Sequence, residues 1–291
     1  MNSPVTTTIV MVLLLGGAIV WIAGHKYWTD RHRSMLEAAA GGTMSAHARN
    51  AYQRRDRHRL RWMIIGPLVG LAIGTVVLLN EREVESLFLP LMVGIALGQY
   101  AGSVAAAVAV IKDMPSRRVA TLQPRIVEDY VAPAHLWAQR VSLLLPLGVV
   151  VLSIVDLSSA GPASPTSIAI LAAGVLALGA GIAAPTVRSR LLAIPNKADS
   201  TEVAFWNNAI VSRAVGDLTL AVTTLSVVAG LVGLWSPILD RFSPPALFAL
   251  WTISGLIMCG VIVGPAIVAK DSVSSVPRFI TRNPPHRGHA A

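Results

Sequence analysis

Seven apolar runs, each close to the length of a membrane-spanning helix, constrain the fold more than any other feature of this sequence. A helix needs about 20 predominantly apolar residues to cross the hydrocarbon layer, whereas barrel strands are shorter and alternate in polarity. The sequence therefore predicts an all-α, polytopic membrane helix bundle with about seven transmembrane helices. The predicted spans lie near residues 5–24, 62–80, 88–111, 141–159, 167–187, 214–235 and 247–269.

Composition agrees with a membrane location. Only 13% of the residues are charged and 54% are hydrophobic, and the mean hydropathy is +0.62, whereas a soluble domain carries about 25% charged residues. Arginine outnumbers lysine 20 to 4, which is typical of a GC-rich bacterial genome. We therefore expect a multi-pass protein of a bacterial cytoplasmic membrane, the inner membrane where there are two.

The distribution of basic residues predicts the orientation. Of the 24 Lys and Arg residues, 22 lie in three polar excursions and in the C-terminal segment. Cytoplasmic loops retain Lys and Arg, so we expect the N-terminus outside and the C-terminus in the cytoplasm. Because the charge is sorted onto one membrane face, a nucleic-acid partner is not expected. The three excursions are residues 25–61, 112–140 and 188–213. We expect residues 1–269 to form one transmembrane domain and residues 270–291 to form a disordered cytoplasmic tail.

The first apolar run does not have the charge pattern of a cleavable signal peptide. No basic residue precedes it, whereas the basic stretch "HKYWTDRHR" follows it immediately, and a signal peptide has the reverse arrangement. We therefore expect the first run to remain as a membrane anchor.

The chain repeats a helical hairpin three times and ends with one unpaired span. Similar segments, "LMVGIALG" and "LAAGVLALG", begin the second and third units, which favours parallel repeats. Within the excursions, Thr29 or Asp30 and Ser200 or Thr201 can cap short helices. We expect such helices to lie at the lipid interface. The middle excursion contains Pro124 and Pro133 and can be helical only in fragments.

Two runs of glycine at four-residue spacing indicate close helix packing. Glycine weakens a helix, but glycines at this spacing form a groove without side chains, so that a neighbouring backbone can approach closely. We interpret the runs as a glycine zipper between the second and third spans; a pore lined by these glycines is the alternative. The residues are Gly66, Gly70, Gly74, Gly94, Gly98 and Gly102.

A few polar residues within the spans are candidates for a transport path or an ion site. Gln99 and Ser103 share one helix face at four-residue spacing, and each needs a partner at that depth. Asp217 follows Arg213 by four residues at the inner end of the sixth span. We expect an ion pair along that helix, with a proton or cation site as the alternative.

The basic run "RRDRHRLR" is a candidate for anionic lipid headgroups, although it also serves as a topology signal beside the second span. Its arginines are Arg54, Arg55, Arg57, Arg59 and Arg61. The one cysteine, Cys259, permits neither an intrachain disulfide nor a cysteine metal cluster. Histidines with the spacing of metal ligands are also missing, so we expect no metal site and no cofactor.

Motifs for nucleotide hydrolysis and for common hydrolases are missing from the sequence. We therefore expect a permease-like or accessory subunit of a transport or export system, which depends on a partner such as an ATPase. The first alternative is a scaffold or regulatory membrane subunit that docks a cytoplasmic partner. The second is an enzyme acting on lipids, in which His135, Glu128 and Asp129 would gather in one cleft. An enzyme is the less favoured reading, and the sequence identifies no catalytic residue.

Overall fold

The computed structural model describes residues 33–38, 40, 42–80, 88–112, 126–131, 133–159, 165–193 and 200–239, and all regular structure in these ranges is helical. A short helix that includes residues 33–38 (α1) comes first. It is followed by α2 (Ala46–Asn80), α3 (Phe88–Lys112), α4 (Val127–Tyr130), α5 (Pro133–Ser142), α6 (Leu144–Ser159), α7 (Pro165–Ala193) and α8 (Thr201–Leu239). The predicted spans 5–24 and 247–269 and the predicted tail 270–291 lie outside the described residues.

Five stretches of this bundle are long and apolar enough to cross a membrane. They are Ala46–Val77, Leu91–Val110, Pro133–Ser158, Ser167–Ala193 and Glu202–Gly233. They overlap the second to sixth predicted spans, so the helical fold and the capacity for several membrane crossings are confirmed for the described residues.

Helix α8 occupies the centre of the bundle. Within its most apolar window 78% of the residues are buried, against 17% for α2, and it contacts α2, α3, α5, α6 and α7. Its first turn is capped by Ser200, whose Oγ accepts the amide N–H of Val203 at 3.2 Å. No proline occurs in α8 before Pro237, and the excursion helix and the sixth predicted span form one continuous helix.

The excursion segments pack into the protein through several large apolar side chains, and their predicted position at the lipid interface stays a prediction. Trp206 and Leu36 are each 1% exposed, and Met44 is 3% exposed. All three belong to one apolar cluster together with Val131 and Ile210. Burial of these large side chains removes apolar surface from water and holds the excursion segments against the rest of the bundle.

Proline fixes the division of the middle segment. Helix α4 has only four residues, and α5 begins at Pro133, as expected for a segment that is helical in fragments. A turn at Leu143 separates α5 from α6. Pro146 has no amide hydrogen to donate to the carbonyl of Ser142, which is the physical reason for a break at this position.

Helices α2 and α3 approach through their glycines. A Cβ atom built on any of five glycines would lie under 3.0 Å from backbone atoms of the facing helix. The Cα of Gly74 lies 3.3 Å from a Cβ built on Gly94. The five glycines that have no room for a side chain are Gly66, Gly70, Gly94, Gly98 and Gly102.

Candidate functional site

Four charged side chains meet between α2 and α8, and we call them the four-charge cluster: Asp56, Arg59, Arg213 and Asp217. Arg59 Nε donates to Asp56 Oδ1 at 2.9 Å, and Arg59 Nη1 donates to Asp217 Oδ2. Arg213 Nη1 lies 3.5 Å from the same Asp56 oxygen. Two positive charges therefore meet two negative charges, and Arg59 joins the two helices.

The cluster is well shielded from solvent. The side chain of Arg59 is 1% exposed and that of Asp56 is 5% exposed, while Asp217 retains 20%. Loss of one member would leave an uncompensated charge in a buried position, so the cluster is a structural tie between the two helices.

The partner of Asp217 differs from the one that spacing suggests. The sequence predicts Arg213, whereas the structure places Arg59 against Asp217 and brings Arg213 to Asp56. A signal for Arg59 was present in the sequence. It lies seven residues before Gly66, two helical turns along the same face, so the glycine face of α2 also carries this arginine toward the protein interior.

Gln99 and Ser103 lie on α3, outside the four-charge cluster. The Ser103 hydroxyl donates to the Gln99 carbonyl at 2.9 Å and lies 3.3 Å from the sulfur of Met63 on α2. Ser103 is fully buried, whereas Gln99 is half-buried. Ser103 thus has its own partners in the contact between α2 and α3, separate from the partner of Asp217.

The basic run divides between two faces of α2. Arg55 and Arg59 are each 1% exposed, so they point into the protein and are not placed to reach a headgroup. The exposed members are Arg54, Arg57 and Arg61. These three recur at three- and four-residue spacing and continue into the exposed apolar face that contains Ile65 and Leu68.

A second buried polar group lies between α5, α7 and α8, and we call it the Arg188 cluster: Gln139, Arg188 and Thr219. Arg188 Nη1 donates to Gln139 Oε1 at 2.6 Å and to Thr219 Oγ1 at 2.9 Å. All three residues are at most 5% exposed. Sequence reasoning missed this cluster, because a basic residue directly after an apolar run was interpreted only as a topology signal.

The residues proposed for a lipid enzyme fall on two neighbouring helices. Glu128 and Asp129 lie in the first turn of the four-residue helix α4, and His135 is half-buried in α5. Within the described ranges, no three His, Cys, Asp or Glu side chains form a group that could hold a metal ion.

Comparison of the chain with protein-family models, with curated proteins and with solved structures found no match.

Proposed function

We propose that this chain is an accessory membrane subunit of a bacterial transport or export system, and that its bundle anchors a partner protein rather than conducting a substrate. The observation that carries the proposal is the four-charge cluster. Asp217, the strongest sequence candidate for an ion site, has the buried cation Arg59 as its partner in a group of balanced charge. A group of this kind suits a permanent tie between α2 and α8 better than a site that loads and releases ions.

The separate bonding of Ser103 supports the same proposal. A transport path through these polar residues requires Gln99, Ser103 and Asp217 to face one cavity. Ser103 instead has partners on α2 and α3, while Asp217 has its partner across the contact between α2 and α8. On the accessory reading, each polar group contributes to helix association.

We further propose seven spans, with the N-terminus outside and the C-terminus in the cytoplasm. The clusters support this orientation because their basic residues come from the ends of the helices that the topology places on one side: Arg59 from the first half of α2, Arg188 from the end of α7 and Arg213 from the first half of α8. We also propose that the facing glycines act as a glycine zipper, since a bilayer supplies no hydrophobic drive for helix association and close dispersion contacts replace it.

The accessory role is tested by isolating the chain from its own membrane. The chain carries an affinity tag, is expressed at its native level, is cross-linked in intact cells and is extracted in a mild detergent. Mass spectrometry should find a second protein in fixed ratio, either an ATPase or another membrane protein. A tagged, unrelated multi-pass protein from the same host is the control for background. Recovery of the chain alone after cross-linking would contradict the proposal.

A further inference from the structure

Arg188 differs from Arg59, another buried cation of the bundle, in the charge of its partners. Arg59 is neutralised by two carboxylates, whereas both hydrogen-bond partners of Arg188 are neutral: the amide of Gln139 and the hydroxyl of Thr219. Among the described residues, no carboxylate lies within the 4.0 Å ion-pair distance of the Arg188 guanidinium. A buried charge without a counter-ion is costly, which makes the site a candidate for an anion.

The donors of Arg188 differ in whether they have an acceptor in the protein. A guanidinium carries five N–H donors in a fixed fork, and here Nη1 donates to both protein partners. Nε is buried and has no acceptor among the residues that the structure describes. Nε belongs to the side edge of the fork, the edge that can hold a carboxylate or phosphate through two parallel hydrogen bonds.

The surroundings of Arg188 favour a negatively charged ligand. Arg140 is close enough to repel the Arg188 charge, and Glu128 attracts it from beyond ion-pair distance. Thr219 Oγ1 donates to the carbonyl of Val215 at 2.9 Å, so its lone pair is directed to Arg188 and holds the guanidinium in place.

We propose that Arg188, held by Gln139 and Thr219, is a binding site for a phosphate group. Phosphate fits the bidentate fork, and the site lies at the end of the bundle where the basic residues gather and where headgroup phosphates of a bilayer would be found. The phosphate belongs either to an anionic lipid headgroup or to a free phosphate ion. This site does not depend on the accessory role, because it uses none of the residues of the four-charge cluster.

The experiment measures the melting temperature of the full chain, stripped of lipid, in a maltoside detergent that contains no phosphate. Three additions are compared at equal ionic strength set with chloride: inorganic phosphate, phosphatidylglycerol and a phosphate-free glycolipid. A ligand that binds only the folded state should raise the Tm by roughly 3 to 6 °C at about ten times its Kd. A rise with phosphatidylglycerol alone identifies a headgroup site, and a rise with inorganic phosphate identifies a site for the free ion. An equal rise with the glycolipid would overturn the proposal.

Two variants locate the effect, and one serves as a matched control. Arg188→Gln removes the charge and should abolish the phosphate-dependent rise, whereas Arg190→Gln, an exposed position on the same helix, should retain it. Gln139→Glu places a carboxylate at the atom that now accepts from Nη1 at 2.6 Å, so it should raise the Tm without phosphate and abolish the further rise. If Arg188→Gln does not accumulate, the phosphate-dependent rise in Tm of Gln139→Glu is the test of the site. A parental rise in either variant would refute the site.

Discussion

Arg59 on α2 and Asp217 on α8 form an ion pair although 158 residues of chain separate them. Arg59 also holds Asp56 within its own helix, so its guanidinium is shared between a local and a distant carboxylate. The pair therefore determines how α2 sits against the central helix, and its charges should be removable only together.

Charge removal at this pair should be non-additive. Arg59→Gln leaves the carboxylates of Asp56 and Asp217 without the cation that they share, and should lower the free energy of unfolding by about 3–5 kcal/mol. Asp217→Asn should cost less, about 1–3 kcal/mol, because Asp56 still neutralises Arg59. The double variant Arg59→Gln with Asp217→Asn should recover most of the loss, measured by denaturant unfolding in detergent.

The comparison that distinguishes the two possible partners is the double variant Arg213→Gln with Asp217→Asn. It should recover less, because Arg213 pairs with Asp56 whereas Asp217 pairs with Arg59, so these two changes do not remove the two halves of one ion pair. Arg57→Gln, an exposed position on the same helix, is the control and should leave stability unchanged. Equal recovery in the two double variants would refute the assignment of Arg59 as the main partner of Asp217.

Side chains introduced at the facing glycines should separate α2 from α3. Gly70→Leu and Gly98→Leu should each lower the free energy of unfolding by about 1–3 kcal/mol or more, although leucine is the better helix former. The new side-chain atoms would overlap backbone atoms of the facing helix, which cannot move aside by a change of rotamer. The measurement is the Tm and folded yield of each variant in detergent. Gly179→Leu is the matched control, since a Cβ at Gly179 meets nothing within 4 Å. Parental melting of both test variants would show that close approach is unnecessary.

The start of α2 should depend on Glu202. Its Oε1 accepts the amide N–H of Ser45 at 2.8 Å, while the Ser45 hydroxyl accepts from the amide of Ala48 at 3.3 Å. Glu202→Ala should speed hydrogen exchange at the Ser45 amide about fivefold, which corresponds to one lost hydrogen bond of about 1 kcal/mol. Glu202→Gln keeps an acceptor oxygen, so the Ser45 amide should exchange almost as slowly as in the parent. Fast exchange of the Ser45 amide in the Gln variant would show that the charge of Glu202 matters more than the hydrogen bond.

The orientation can be read by labelling intact cells. In a Cys259→Ala background, Ser158→Cys should react with an impermeant thiol reagent from outside, whereas Ala46→Cys should react only after the membrane is opened. Both positions are exposed on the protein and lie at opposite ends of their helices. Labelling of Ala46→Cys in intact cells would reverse the proposed topology.

Helix positions were predictable because they depend on local apolar length, but side-chain partners were not. The span predicted at 88–111 is found at Phe88–Lys112, and the continuation of the second span into "RRDRHRLRW" is also found. Polarity alone could not place Trp206, because an aromatic residue near a membrane end suits either the headgroups or a packed interior, and only the tertiary fold decides between them. Composition likewise does not separate Arg55 and Arg59 from Arg54; only the seven-residue spacing of Arg59 from Gly66 gave a signal.

The unbroken course of α8 has a mechanical consequence. Its 39 residues make a rod of about 58 Å, nearly twice the thickness of the hydrocarbon layer. One end of α8 is held by the apolar cluster that contains Trp206. Among the described helices that pack beside the apolar half of α8, the only break is the turn at Leu143. A displacement imposed at the Trp206 end would therefore tilt the whole rod instead of being absorbed by a hinge. The two ends of α8 are therefore mechanically coupled over the full length of the helix.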